Sequence, residues 1–432
     1  VSGKRDTTVH VPMLARVEGE GALELSIRGG AIEHVRLRIY EPPRLFEKLL
    51  EGRSYAEVPD AVARICGICP VAYQMSAVYA IERAFGTEVP AWVRDLRRAM
   101  YCGEWIQSHA LHIHMLAAPD FLGADSVVAL AARHPEVVRR GLRLQALGND
   151  LIRLFGGRSV HPVGVCVGGF HRAPDARDVA ALVARLREAL PDAEALVAWS
   201  ASLPLPDDTQ SFVSVALRDR DAYPFCEGRI VSDDGLDIDA DAYEAHFEER
   251  HVPHSTALHA LLHGHSYLVG PLARLNLDHD RLPQEVRAVL AQAGLRPPVR
   301  NMFHSIVARA VEIHFALVEA IRILAGYAPQ GAPRAEVVPR AGTGAAATEA
   351  PRGLLWHRYE TDAQGRIVRA RIVPPTSQNQ ARIEEDLRAS LEAFGLDRPD
   401  DELRQRGETV IRNYDPCISC ATHFLKLRVE RA

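Results

Sequence analysis

Two Cys-x-x-Cys pairs stand near opposite ends of a 432-residue chain: Cys66-Gly67-Ile68-Cys69 and Cys417-Ile418-Ser419-Cys420. The spacing lets both sulfurs of a pair reach one ion, and two pairs offer four thiolates to one soft metal centre. Pro70 follows Cys69 and suits the first turn of a helix. A helix N-terminus favours anionic sulfur, the form that binds metal. Three blander readings compete. Structural zinc is one, but its pairs usually lie within about 15–20 residues of each other. A thioredoxin-like dithiol at Cys66–Cys69 would leave the second pair unexplained and lacks a surrounding βαβ pattern. The third is a set of unrelated buried cysteines.

If the pairs share a metal, the fold must carry its two ends to one point. That argues for one topologically closed unit over residues 1–432 rather than separable domains. The N-terminal segment reads as β: Val9 onward leads into Ala22–Ile27, a Gly29-Gly30 turn and a return over Ala31–Tyr40, with Val35, Leu37 and Ile39 alternating against charged neighbours. Helical spacing dominates from Pro70 to about Ser202, over Trp92–Met115, Pro135–Phe155 and Pro174–Ser200, the last expected to break at Pro191-Asp192. Short strands such as Ser211–Leu217 are expected in the mixed stretch that follows. Met302–Tyr327 is apolar on most sides and reads as a buried helix. Ala341–Ala350 reads as a Gly/Ala/Thr loop, leading to a hairpin of Leu354–Thr361 and Arg366–Val373 around Gln364-Gly365. Helices are expected near Gln380–Phe394 and Asp401–Arg412.

Hydrophobic residues make up 47% and charged residues 25%, ordinary globular values, and the net charge of −5 gives no reason to expect nucleic acid as a partner. No apolar run approaches the roughly 18 residues that span a bilayer. Val1–Asp6 has no apolar h-region, so a secretory signal is not expected. Seven cysteines, four of them in x-x pairs, are no disulfide framework and suit a cytoplasmic location.

Five blocks, in order, resemble the large, catalytic subunit of nickel–iron hydrogenases: Arg16-Val17-Glu18-Gly19, Arg64-Ile65-Cys66-Gly67-Ile68-Cys69, Gly157-Arg158-Ser159-Val160-His161-Pro162, Glu349-Ala350-Pro351-Arg352-Gly353 and Asp415-Pro416-Cys417-Ile418-Ser419-Cys420-Ala421-Thr422-His423. The Ile68-Cys69-Pro70 form looks like the cytoplasmic, bidirectional NAD(P)-linked branch. Tyr40-Glu41-Pro42-Pro43-Arg44 and the Ser419–Phe424 ending resemble its sulfhydrogenase-like members. The resemblance implies an α+β fold, mainly helical, with a central helix bundle, peripheral β-hairpins and the two Cys-x-x-Cys motifs brought together.

It also implies a nickel on all four sulfurs, with Cys66 and Cys417 terminal. Cys69 and Cys420 would bridge to an iron that carries carbon monoxide and cyanide. Arg352, read alone, is a solvated loop arginine; the resemblance places its guanidinium over the open metal face. Asp415 and Asp120 would hold it, Asp120 otherwise reading as a turn residue after the Trp105–Met115 helix. Glu18, alone a strand-edge carboxylate, would be the first proton acceptor near Cys417, in a reaction that separates hydrogen heterolytically. Thr376, beside Pro375, matches a hydroxyl that contacts a cyanide. Glu47, His423 and the carbonyl of Ile372 would hold magnesium. Tyr73 departs from the pattern, standing where many uptake-type relatives have histidine.

His109, His112 and His114 resemble a metal cluster only at first sight; they read as packing or hydrogen-bonded histidines. Cys102, Cys166 and Cys226 read as small buried side chains. The resemblance implies that Phe424–Ala432 is a processing peptide, removed by an endopeptidase after a maturation chaperone has served metal insertion. Seven cysteines are too few for relay clusters, so electrons must leave through a partner; the resemblance implies an iron–sulfur small subunit and FAD/NAD(P)-binding, iron–sulfur electron-transfer subunits. No glycine-rich dinucleotide fingerprint occurs here. Sulfur, polysulfide or a deazaflavin is the alternative acceptor. A non-catalytic relative from respiratory NADH dehydrogenase is the rival from another class, and the four cysteines argue against it.

Overall fold

The computed structural model describes residues 6–422. The N-terminal meander forms as its alternation dictates. Strands β1 (Thr7–Val11), β2 (Gly21–Arg28) and β3 (Ala31–Ile39) pair antiparallel, with Leu25 opposite Val9 on one side and Val35 on the other. Ile32, Val35, Leu37 and Ile39 turn inward.

A helix bundle occupies the centre. Helix α1 (Pro70–Phe85) starts directly after Cys69, α2 spans Ala91–Leu111, α3 Pro135–Gly156, α4 Ala176–Ala201 and α5 Ser305–Ala325. Helix α2 packs between α3 and α5, and α5 also packs on α4. Nearly all of α5 is buried, in accord with its apolar circumference. The expected break at Pro191 does not occur: α4 runs through it. Pro191 and Arg187, whose carbonyl loses its partner there, both lie on the exposed side of the helix, where water can replace the missing bond.

Gly342–Ala350 is not a loop but strand β4, paired antiparallel with β5 (Gly353–Thr361), which pairs with β6 (Ile367–Val373). Small side chains permit this. The strand lies so close on α1 that a Cβ on Gly344 would stand 2.2 Å from the Ala80 carbonyl oxygen. Packing against a helix, rather than β-propensity, makes this stretch extended.

Helix α6 (Pro375–Phe394) begins earlier than its sequence pattern suggests, and α7 spans Asp400–Tyr414. Between α2 and a short helix over Ala118–Phe121, the chain widens into a π-helical turn, His112–Ala117. Such turns concentrate at functional sites.

Candidate metal centre

The four cysteines meet. Their sulfurs all lie within 4.8 Å of one another, and none of the residues is more than 3% exposed. Cys66 Sγ lies 3.6 Å from Cys417 Sγ, and Cys69 Sγ lies 3.9 Å from Cys420 Sγ. Within the first pair, Cys69 Sγ donates to Cys66 Sγ at 2.8 Å, and the Cys69 and Ile68 amides donate to it at 3.1 and 3.4 Å. Burial pushes the Cys66 thiol up, but the Cys69 hydrogen bond and the charge of Arg352 outweigh it and lower its pKa. Burial, then the Cys66 sulfur, raise that of Cys69. The two sulfurs are thus pushed in opposite directions, Cys66 toward the thiolate and Cys69 toward the thiol. Cys417 Sγ and Cys420 Sγ face each other on the opposite side of the same cage.

Each end of the chain reaches the cage through specific bonds. Glu18 and Cys417 form an isolated parallel bridge, and the Ile418 amide donates to the Glu18 carbonyl at 3.0 Å. The Arg44 guanidinium donates to the carbonyls of Ile65 and Ser419, one from each cysteine segment. The Arg44 amide donates to the Thr422 carbonyl at 2.6 Å. The Thr376 hydroxyl, in the first turn of α6 beside Pro375, accepts the Cys417 amide at 2.9 Å and keeps its own proton for another acceptor.

Arg352 projects from the tight turn between β4 and β5. Gly353 there has φ +135, and a Cβ on it would stand 2.6 Å from Val269 Cγ2, so the turn demands glycine. Buried Arg274 clamps the turn from behind, donating to Glu349 at 2.8 Å and to the carbonyls of Ala350 and Pro351 at 2.9 and 3.1 Å. Arg352 Nε donates to the Asp415 carbonyl at 2.7 Å, and Nη2 donates to its carboxylate at 2.9 Å. Its Nη1 is buried with no protein partner. Burial opposes its charge, but Asp415 and the Cys69 and Cys66 sulfurs hold it protonated. An unpartnered cationic N–H beside a sulfur cage is what a bound anion or polarised ligand would occupy.

Asp120 does not hold this arginine. Its carboxylate accepts from Arg16 at 2.5 Å and from Arg412 at 2.7 and 2.9 Å. Nor is it a turn residue: it sits in the Ala118–Phe121 helix after the π-helical turn. Arg16 also reaches the Leu116 carbonyl in that turn, and Arg412 reaches the Ala15 carbonyl. Two arginines from the ends of the chain saturate the carboxylate. Asp120 thus ties the loop bearing Glu18 to the end of α7, where Asp415 caps the helix in a left-handed conformation (φ 55).

Glu18 Oε2 stands 3.0 Å from Cys417 Sγ and accepts the Ser419 amide at 3.1 Å. The Ser419 hydroxyl donates to half-buried Glu41 at 3.2 Å. Sequence reasoning missed Glu41 and Ser419 as a continuation of Glu18, and missed Arg16, Arg44 and Arg412 as clasps. The Arg16–Gly19, Tyr40–Arg44 and Asp415–His423 blocks contain all of them but Arg412, which has no such signal.

Glu47 and Ile372 also meet, with the Ile372 amide donating to the carboxylate at 2.8 Å. His423 and the tail lie outside the described residues. Tyr73 is buried, its hydroxyl has no protein partner, and its ring lies 5.6 Å from that of His357. The three histidines of α2 and the π-helical turn are hydrogen-bonded: His109 to Glu312, His112 to the Arg412 carbonyl and His114 to the Ala110 carbonyl. Cys102 and Cys166 are buried and Cys226 is half-buried, all free.

Residues 44–140 and 259–423 match the family model described as nickel-dependent hydrogenase. Among characterised proteins, the chain is 32% identical over 421 residues to sulfhydrogenase 2 subunit alpha of Pyrococcus furiosus, covering 97% of this chain and 100% of the relative. It is also 32% identical over 423 residues to sulfhydrogenase 1 subunit alpha of the same organism, covering 97% and 98%. Among solved structures it resembles an NAD+-reducing NiFe-hydrogenase in the H2-reduced state, with a TM-score of 0.88 and 28% identity over 98% of this chain and 100% of that one.

Proposed function

The chain belongs to the nickel-dependent hydrogenase family, and on that premise we propose that it is the catalytic subunit of a cytoplasmic enzyme that splits and forms hydrogen reversibly, coupled to NAD(P). The observation that carries the proposal is the convergence of four buried cysteine sulfurs with the unpartnered Nη1 of Arg352 and the carboxylate of Glu18. The donor set fits the implied group: soft sulfurs for nickel and iron, and a cationic N–H for the carbon monoxide and cyanide carried by the iron. Cys66, Cys69, Cys417 and Cys420 would hold the metals. The centre, when bound, supplies the site of heterolytic cleavage and takes up the electrons.

The chain's own residues do the rest. Arg352, aimed by Asp415 and by Arg274 behind the turn, presents a fixed positive charge to the open side of the cage. Such a preorganised charge stabilises developing negative charge without reorganisation. Glu18 takes the proton from the Cys417 side, and Glu41, which accepts the Ser419 hydroxyl, is a further carboxylate near it. Thr376 fixes Cys417 through its amide, and its hydroxyl proton would be available to a cyanide of the bound centre. Glu47 and the Ile372 carbonyl, with His423, would hold a magnesium that anchors the C-terminal turn.

In this reading electrons leave through an iron–sulfur small subunit and a FAD/NAD(P)-binding subunit with further clusters. A maturation chaperone and an endopeptidase that removes 424–432 complete the set of partners. No helix among the described residues is long and apolar enough to cross a membrane. The sulfhydrogenase names of the relatives favour polysulfide as the second acceptor to consider. The test is hydrogen-dependent reduction by the purified complex with NAD+, NADP+, polysulfide or a viologen dye. Nicotinamide reduction supports the proposal. Reduction of the dye and polysulfide alone replaces the acceptor.

A further inference from the structure

A second cluster of ligand-type side chains lies outside the cysteine cage. We infer that His254, His259 and Glu384 form a binding site for a zinc-class divalent cation, separate from the cysteine centre. The three come from three elements: His254 from the loop before residue 259, His259 from the first position of the His259–Leu262 strand, and Glu384 from the middle of α6. One ligand atom from each lies within 4.8 Å of the others.

Two features mark the cluster as a site rather than a chance contact. His259 is 5% exposed, yet its Nε2 is buried without any hydrogen-bond partner. A buried imidazole nitrogen left unpaired is costly unless something binds it. Meanwhile His254 Nε2 lies 2.7 Å from Glu384 Oε1, which also accepts the Leu37 amide at 3.0 Å. That backbone bond orients the carboxylate as a ligand's supporting bond does.

Two imidazoles and a carboxylate are the donor set of an open zinc site, whereas magnesium and calcium favour oxygen alone. Tetrahedral bonds of about 2.1 Å put ligand atoms about 3.4 Å apart. The His254–Glu384 separation of 2.7 Å is shorter than that value and all three atoms lie within 4.8 Å, so side-chain rotation suffices to seat an ion. An adjoining cleft of about 400 Å³, lined by His259, Glu384, Glu385 and Arg388, gives room for a water in the fourth position. Arg36 and Arg388 are the nearby opposing charges, and Glu385 and Glu392 offset them.

The position gives the ion a structural consequence. Thr256, inside the same loop, bonds the Ile39 and Glu41 carbonyls, and Ala257 packs against Ile418 and Ala421 of the cysteine turn. A metal here would cross-link that loop to α6, the helix whose Thr376 holds Cys417. The inference stands on these residues alone and does not depend on the hydrogenase reading.

The experiment is a titration of the mature, nickel-loaded complex with Zn2+, and separately with Co2+, after mild chelation. The expected result is one further ion per chain, with nickel unchanged. Co2+ should give ligand-field bands without thiolate charge transfer. Glu384→Gln and His259→Asn should each weaken Zn2+ binding by about 10- to 100-fold or more. Equal Zn2+ uptake by wild type and both variants, no uptake by wild type, or thiolate bands with Co2+ would each overturn the inference.

Discussion

Glu18 Oε2 lies 3.0 Å from Cys417 Sγ, although 399 positions separate the two residues. The contact places a carboxylate against a cage sulfur, with a second acceptor, Glu41, one serine away. A proton leaving the sulfur has this carboxylate as its nearest acceptor. Glu18→Gln keeps the shape and the Ser419 bond but removes the base. Hydrogen turnover is expected to fall by about 100- to 10,000-fold, with nickel content unchanged by elemental analysis. Turnover within a factor of two of wild type would take Glu18 out of the proton route.

Arg352→Lys replaces a planar fork with a single ammonium. The lysine cannot serve Asp415 through two nitrogens and still face the cage. The expected loss of turnover is about 100- to 1,000-fold, with metals retained. Asp415→Asn, which leaves the arginine in place but less firmly aimed, should fall between wild type and Arg352→Lys.

Asp120 should matter for assembly of the fold rather than for aiming Arg352. Asp120→Ala leaves Arg412, whose side chain is 2% exposed, with Glu408 as its remaining carboxylate, and frees Arg16. Removing the shared acceptor while one pairing survives costs about 1–3 kcal/mol. A lowered denaturation midpoint is expected, with turnover per bound nickel close to wild type. A large turnover loss without destabilisation would assign Asp120 to the chemistry instead.

The buried histidines set a pH dependence of stability. Burial lowers His114 from 6.5 to about 3 and His109 to about 4. Between pH 6.5 and about 3 an unfolded chain takes up protons at these rings while the folded chain does not. Their neutral burial therefore costs nothing above pH 6.5, and stability falls as pH drops toward 3. Urea midpoints should decline from pH 7 to pH 5. His114→Asn should decline less steeply, because one such proton is removed from the balance.

Among the seven cysteines, only four should control the metal. Cys417→Ala is expected to abolish nickel binding, since one ligand goes and the cage opens. Cys226→Ser, at a half-buried free cysteine outside the cage, should bind nickel as wild type does. Elemental analysis of both variants checks the distinction.

The sequence carried the cage but not its scaffolding. Thiolate chemistry requires the Cys-x-x-Cys spacing, and Pro70 declares the helix that follows, so Cys66, Cys69, Cys417 and Cys420 were legible. Arg352 and Asp415 were legible because they lie inside the same short blocks. The partners of Asp120 were not, because the pairing with Arg16 and Arg412 is made between distant segments and leaves no local pattern. Arg44 likewise bonds two carbonyls that only the finished fold brings together. Gly342–Ala350 was misjudged because its small residues carry no β signal; close contact with α1 makes it a strand. Pro191 was misjudged because exposure on one helix face decides whether a missing amide matters. The His254, His259 and Glu384 cluster has no spacing signature, since its members come from a loop, a strand and a helix.

The most direct test of the central claim is an infrared spectrum of the purified complex, read together with its nickel, iron and zinc content. Stretching bands of metal-bound carbon monoxide and cyanide, with one nickel and one iron per chain, are the predicted result. Their absence from mature protein lacking Phe424–Ala432, with a zinc ion on the four cysteines instead, would contradict it.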